Sequence, residues 1–546
     1  MELLNITTGE TLDIIARQNA ARVALIESNS GRTLTWQTLK EKVDGVAKGF
    51  LAMGLVKGDK LAIWSVNNIE WVICFLAAAN IGVVVVCIDF HLKKPELINL
   101  LHITNTRALC FSRGFRENDF AQIAASLAVD KSAENRGAVC LDFLIDIENR
   151  KHPNMLSLDD IEERGDRLDA AQYEQATASV AAGELLTIQM TSGSTASPKC
   201  VMLSHHSIIN NSRLSARRLD ITPDDIICLT VPFFHCFGLS SGLFFSLNTG
   251  CRLVLQENYR PEEVLKAVEK YQCSVMHGVP TVFSRLMKHE NFERYDVKSL
   301  NKGIVAGAYC HPDLIKDITT RLAMQHISVA YGQTETSPCC TQTQLTDPLA
   351  VKSATVGKPL PHIEMKIVDL KTRQVCPVGV PGEICSRGFH VMMGYYNARE
   401  ETEKVIDAQG WFHTGDIGIL DESGYYRYSH RIKEIIVRGG ENISPREVEA
   451  AILAYPGIET AKVFGLREDE LGEEVAAAIC PKIGVDICEA ELRGFLETHL
   501  AHYKVPSYIY VMKNITYTPS GKIDCLAMKN SIVNELIKNN VVKISL

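Results

Sequence analysis

The stretch Met190-Thr191-Ser192-Gly193-Ser194-Thr195-Ala196-Ser197-Pro198-Lys199 puts small hydroxyl residues, a glycine and a lysine into one short loop. Backbone N–H groups in such a loop can point at a single anion, hydroxyls add donors, and Lys199 adds a full positive charge. The pattern departs from a Walker loop, because the second glycine of G-x-x-x-x-G-K-[ST] is missing. It also lies between two apolar runs, Leu185 to Met190 and Val201 to Leu203, and does not open a helix. A polar hairpin turn has a similar composition, so the partners of this loop elsewhere in the chain decide its reading.

Outward from the loop, helical patterns alternate with short Val/Ile/Leu runs from about Thr33 to Asp89 and from Thr222 to Ala330, as at Lys60 to Val66 and Arg252 to Leu255. Such alternation implies layered α/β architecture with mostly parallel strands. The apolar stretch Trp71 to Ile88 approaches membrane-spanning length. Asn80-Ile81-Gly82 followed by Val83 to Val86 divides it instead into helix, cap and buried strand. Between Thr355 and Tyr428 the texture changes to Gly/Pro punctuation and short alternating strands, a β-rich subdomain. Asp169 to Gly183 reads as a linker or surface helix. At Ser444-Pro445-Arg446-Glu447 a capping box with proline at the first helical position opens a further small α/β domain. The expectation is an α/β protein: a large N-terminal domain over residues 1–430, made of layered α/β subdomains plus a β-rich one, and a small mobile C-terminal domain over 431–546.

Composition narrows the function classes. A chain of 546 residues exceeds what one core serves. Its net charge of -8 and lack of a long basic run argue against nucleic-acid binding. The 17 cysteines lack C-x-x-C pairing, which suits reduced thiols in the cytoplasm better than a disulfide framework. The N-terminal residues lack the basic and apolar regions of a signal peptide, and no integral membrane segment is expected.

Four more segments carry weight together: Tyr331-Gly332-Gln333-Thr334-Glu335, His413-Thr414-Gly415-Asp416, Arg431-Ile432-Lys433-Glu434 and Pro519-Ser520-Gly521-Lys522-Ile523-Asp524. With the Thr191 to Lys199 loop, in this order and spacing, they closely resemble the adenylate-forming superfamily over essentially the whole chain. Gly382-Glu383, Met393-Gly394-Tyr395-Tyr396 and Arg438-Gly439-Gly440-Glu441-Asn442 resemble its medium-chain acyl-CoA synthetase branch most.

The resemblance implies a two-step reaction. A carboxylate attacks the α-phosphate of Mg-ATP to give an acyl-adenylate and pyrophosphate, and a thiol then displaces AMP. Thr191, Ser192, Gly193, Ser194, Thr195 and Lys199 would hold the β- and γ-phosphates. Glu335 would hold Mg²⁺, a hard cation that takes oxygen ligands. Tyr331, with Gly332 and Gln333, would lie against the adenine beside Gly307-Ala308, and Thr334 would touch the α-phosphate. Asp416 would accept both ribose hydroxyls, and Arg431 would reach the nucleotide. Lys522 would bridge the carboxylate and the α-phosphate, with Lys433 as the hinge. Ala196, Cys200 and His430 depart from the family pattern. Cys200 leaves two readings open, a thiolate favoured by Lys199 or an inert small residue.

Substrate choice follows from what is missing. No acid lies in Phe233-Phe234-His235-Cys236-Phe237-Gly238, and burying an ammonium unpaired is costly, so amino-acid substrates are disfavoured. Gly332 stands where acetate-activating relatives carry tryptophan, which leaves a pocket lined by His235, Phe237, Val279 and Gly332 open to a medium or longer fatty acid. His235 is either a packed core histidine or a pocket wall. Coenzyme A, held near Arg438, Gly439 and Gly440, is the expected acceptor. A carrier-protein arm, an aryl or other acid, and a nucleotide-binding regulator with weakened turnover are the alternatives. The oligomeric state is left open.

Overall fold

The computed structural model describes residues 2–116, 118–129, 141–191, 198–308, 310–438, 441–468, 472–500, 502–512, 516, 523–524 and 527–532. The chain divides into two compact units, Met1–Met365 with Ser386–Phe412, and Lys366–Cys385 with His413–Leu546. The boundary expected at 430/431 falls inside the second unit, at the end of the strand Tyr426–Arg431.

Two sheets organise the first unit. In one, Val84–Ile88, Lys60–Trp64, Ala108–Phe111 and Phe143–Asp146 run parallel, and Leu185–Thr191 joins them parallel to Val84–Ile88. In the other, His326–Tyr331, Lys302–Val305, Val275–Met276, Ile226–Leu229, Arg252–Leu255 and Val23–Glu27 are parallel neighbours in that order. The apolar stretch near Trp71 behaves as the residue pattern predicts. Asn68 caps the helix Ile69–Asn80, accepting the Trp71 N–H, and Gly82 at φ +73° turns the chain into Val84–Ile88. A left-handed residue is what ends a helix this sharply. Beyond Glu70 in its first turn that helix is almost wholly apolar because it is buried from Trp71 to Asn80: Trp71 stacks on Phe75 and Phe233 at 5.2 and 4.7 Å. Burying each such ring stabilises the fold by about 1.5–3 kcal/mol. Ala170–Ala178, by contrast, buries none of its side chains, as expected of a surface helix. Among the described residues no helix is long and apolar enough to cross a membrane.

The second unit is built on two sheets. Ile363–Val368, Gly382–Gly388, Phe412–Leu420 and Tyr426–Arg431 lie side by side in that order. Further along, Ile458–Glu468 and Gly472–Pro481 form a long antiparallel pair, with Tyr508–Val511 parallel to the second. The helices Pro445–Leu453 and Glu489–His499 bury Val448, Ile452, Leu492 and Leu496 with Val463 and Ile479. Ser444 takes the N-cap position as expected, but it makes no side-chain cap bond; its hydroxyl lies 3.1 Å from His430 Nδ1 instead.

All fifteen described cysteines are free, and twelve of them are buried.

Candidate active site

Parallel strands deliver the expected site residues of the first unit at their carboxyl ends, where open α/β sheets place their ligand crevices. Thr191 ends Leu185–Thr191, Tyr331 ends His326–Tyr331, Gly307 and Ala308 follow Lys302–Val305, and Val279 follows Val275–Met276. Thr191 pairs across the hairpin with Lys199, the first residue of Lys199–Ser204. Ser192, Gly193, Ser194, Thr195 and Ala196 lie outside the described residues, as do Gly439, Gly440 and Lys522.

Lys199 and Glu335 are connected through a residue that the motif reading quoted without giving it a role. The Lys199 ammonium stands over the Tyr395 ring at 4.7 Å, and the Tyr395 hydroxyl donates to Glu335 Oε1 at 2.9 Å. Backbone bonds fix this chain of contacts: Met392 N–H donates to the Glu335 carbonyl at 2.8 Å, and Met393 N–H to the Met202 carbonyl at 2.9 Å. Burial, then the Glu335 charge, push the Tyr395 phenol upward, so it remains a donor at neutral pH. Lys199 also lies 3.6 Å from Glu401. Glu335 itself is 8% exposed, and among the described residues no Lys, Arg or His forms an ion pair with it. A buried carboxylate is costly without a cation, and one held by a single hydroxyl keeps lone pairs for a hard divalent ion. This donor set fits Mg²⁺.

The surroundings of Cys200 decide between its two readings. The Cys200 side chain is 3% exposed, its sulfur is 3.6 Å from Met190 Sδ, and burial pushes the thiol up to about 11. Lys199 therefore does not make it a reactive thiolate, and the inert reading holds. Cys200 also lies in a strand, without the left-handed backbone that would call for glycine. Gly332 is closely covered by its own loop. A Cβ there would collide with the Pro338 carbonyl oxygen and lie 3.0 Å from Cys340 N. In this loop conformation the position takes only a glycine.

Near the apolar residues, His235 takes the N-cap position of the short helix Cys236–Gly238, half-buried, with its ring 4.3 Å from Phe234. The buried histidine of this region is a different one. His277 is 3% exposed, its Nδ1 accepts the Ile304 N–H at 3.0 Å, and burial lowers its pKa to about 3. Its neutral ring lies 6.5 Å from that of half-buried Phe237. Val279 is 6% exposed.

In the second unit Asp416, 2% exposed, faces Arg431 across the antiparallel register of Phe412–Leu420 and Tyr426–Arg431. Arg431 Nε lies 3.4 Å from Asp416 Oδ1. Lys433 sits in the 3₁₀ turn Ile432–Glu434. Arg438 is less available than its sequence suggests, since its guanidinium is held by Glu474 at 2.8 Å.

Comparison with known proteins agrees with this layout. The AMP-binding enzyme family matches residues 12–396, and the AMP-binding enzyme C-terminal domain matches 447–522. YngI of Bacillus subtilis (strain 168), provisionally named an acyl-CoA synthetase, is 36% identical over 97% of this chain and 98% of its own. The mitochondrial medium-chain acyl-CoA ligase ACSF2 of Rattus norvegicus is 32% identical over 98% of this chain and 89% of its own. Among solved structures, the anthranilate CoA ligase AuaEII in complex with anthranoyl-AMP superposes with a TM-score of 0.84 at 21% identity, covering 97% of this chain and 98% of that one. The last likeness bears on the fold alone.

Proposed function

We infer the reaction from the premise that this chain belongs to the AMP-binding enzyme family: it is an AMP-forming acid–CoA ligase that activates a medium- or longer-chain fatty acid. The acid's carboxylate oxygen bonds to the α-phosphorus of ATP as pyrophosphate leaves. The thiolate of coenzyme A then attacks the acyl carbon, and AMP leaves. The observation that carries this reading is the Lys199, Tyr395 and Glu335 arrangement at the carboxyl ends of the strands. Lys199 and the hydroxyl loop would meet the charge that grows on the departing pyrophosphate. Glu335 would hold Mg²⁺, which when bound supplies charge neutralisation to the phosphates. Tyr331, Gly332, Gln333, Gly307 and Ala308 would receive the adenine, Thr334 the α-phosphate, and Asp416 with Arg431 the ribose. Lys522 would bridge the two reacting anions. Residues 431–546 would turn about Lys433 between the half-reactions, with Arg438, Gly439 and Gly440 on the acceptor side.

His235, Phe237, Val279 and Gly332 would line the acyl site. The names of the relatives support a medium-length chain, and each further buried CH₂ adds about 0.8 kcal/mol until the site is filled. The free cysteines support a reducing compartment, the cytoplasm.

The test combines acid-dependent ATP–pyrophosphate exchange with thioester formation. Hexanoate to dodecanoate should turn over faster than acetate or any amino acid, and the reverse ranking overturns the substrate assignment. Lys522→Ala should lower acyl-adenylate formation at least about a hundredfold. The same variant should convert supplied acyl-adenylate and coenzyme A at close to the normal rate. Equal losses in both halves would remove Lys522 from the adenylation step.

A further inference from the structure

We propose that Glu383 and His413 are positioning residues for the nucleotide: they tie down the Thr414-Gly415-Asp416 segment of the strand Phe412–Leu420 so that the Asp416 carboxylate meets the ribose hydroxyls in one fixed orientation. The proposal rests on the ribose reading of Asp416 given above.

This strand segment is fastened at three points to a two-residue stretch of the neighbouring strand Gly382–Gly388. Glu383 Oε2 lies 2.9 Å from His413 Nδ1, and Glu383 Oε1 accepts the Gly415 N–H at 3.1 Å. The Thr414 hydroxyl donates to the Ile384 carbonyl at 2.7 Å and accepts the Asp416 N–H at 3.1 Å. Gly415 has φ +70°, which a glycine adopts at no steric cost. One buried carboxylate therefore holds residues on both sides of Thr414, and Thr414 in turn holds Asp416. Hydrogen bonds to a buried charge are short and strong, and they fix direction as well as distance.

The charges around Glu383 agree with this role. Glu383 is 4% exposed, and burial works to raise its pKa, but His413, Gly415 and Arg373 outweigh it and keep the carboxylate ionised. His413 is pushed up to about 10, first by Cys385, whose sulfur lies 3.4 Å from Nδ1, and then by Glu383. The pair is thus a carboxylate and an imidazolium at neutral pH. Glu383, Cys385 and His413 also present their donor atoms within 4.8 Å of one another, a spacing found in metal sites. Here Arg373 Nη1 already stands 2.9 Å from the oxygen that faces His413. A guanidinium supplies the charge that a cation would bring, so the cluster is an ion-paired brace.

The test is selectivity for the ribose. Dissociation constants of the full-length protein for ATP, 2′-deoxy-ATP and 3′-deoxy-ATP are measured for wild type, Asp416→Ala, Glu383→Gln, His413→Ala and His413→Asn. Asp416→Ala should bring the three constants together. Glu383→Gln and His413→Ala should cut the preference for ATP by about tenfold, as expected for hydrogen bonds to a charged group. The apparent KM for the fatty acid should be unchanged. His413→Asn, which keeps a donor near the Nδ1 position, should recover most of the preference. If Glu383→Gln does not fold, the two His413 variants carry the comparison. Wild-type selectivity in His413→Ala beside lost selectivity in Asp416→Ala overturns the positioning role. Unchanged selectivity in Asp416→Ala overturns the ribose reading itself, and this proposal with it.

Discussion

Glu335 and Asp416 are both carboxylates almost shut off from solvent, yet their surroundings are opposite in kind. Glu335 has a tyrosine hydroxyl on one oxygen and, among the described residues, no ion-paired cation. Asp416 has Arg431 at 3.4 Å and stands in a strand segment braced by the Glu383 and His413 pair. An acid left short of positive charge is poised to recruit some, and its interactions should strengthen as charge develops on a phosphate. An acid already compensated and tied into a braced strand is suited to reading neutral hydroxyls by direction. The first arrangement should appear in the rate of chemistry, the second in the choice of nucleotide.

Substitutions on the Glu335 side break or sharpen this contrast. Glu335→Gln should have the largest effect, lowering pyrophosphate exchange at least about a hundredfold. Its thermal midpoint should hold or rise, because a buried charge has been removed. A loss confined to ATP affinity, with the rate intact, would erase the distinction from Asp416. Tyr395→Phe removes one hydrogen bond to that carboxylate, worth about 1.5–3 kcal/mol, and should lower the exchange rate by about tenfold. A fall as deep as that of Glu335→Gln would make the tyrosine part of the reacting centre, beyond its role of holding the acid. The smallest effect belongs to Cys200→Gly: thiol-blocking reagents should inactivate this variant and wild type at equal rates. Protection by the substitution would show a reactive thiol beside Lys199 after all.

The parts of this layout legible in the sequence are those carried by local chemistry. The parallel strands follow from their β-branched runs, the Trp71 region from its Asn80-Ile81-Gly82 punctuation, and Tyr331, Glu335 and Asp416 from short motifs in fixed order. What escaped were contacts between segments far apart in the chain. Tyr395 reaches Glu335 across 60 positions and Glu383 reaches His413 across 30, and neither side chain is unusual in its own neighbourhood. The close cover of Gly332 escaped for a related reason: the backbone that a Cβ there would strike belongs to Pro338, which folds back over it. For Cys200 the sequence left a thiolate beside Lys199 and an inert thiol both open, and burial decides between them.

The twelve buried thiols of the fold also act as clocks. In the native state only a group that reaches solvent reacts with an alkylating reagent, and among the described cysteines Cys488 is the exposed one. Cys376 and Cys480 are half-buried, whereas modification of the twelve buried thiols must wait for a local or global opening, at a rate weighted by the free energy of that opening. Cys87, Cys110, Cys228 and Cys310 are spread across the two sheets of the first unit and the loops at their strand ends. The order in which they become labelled would record which part of the catalytic scaffold loosens first.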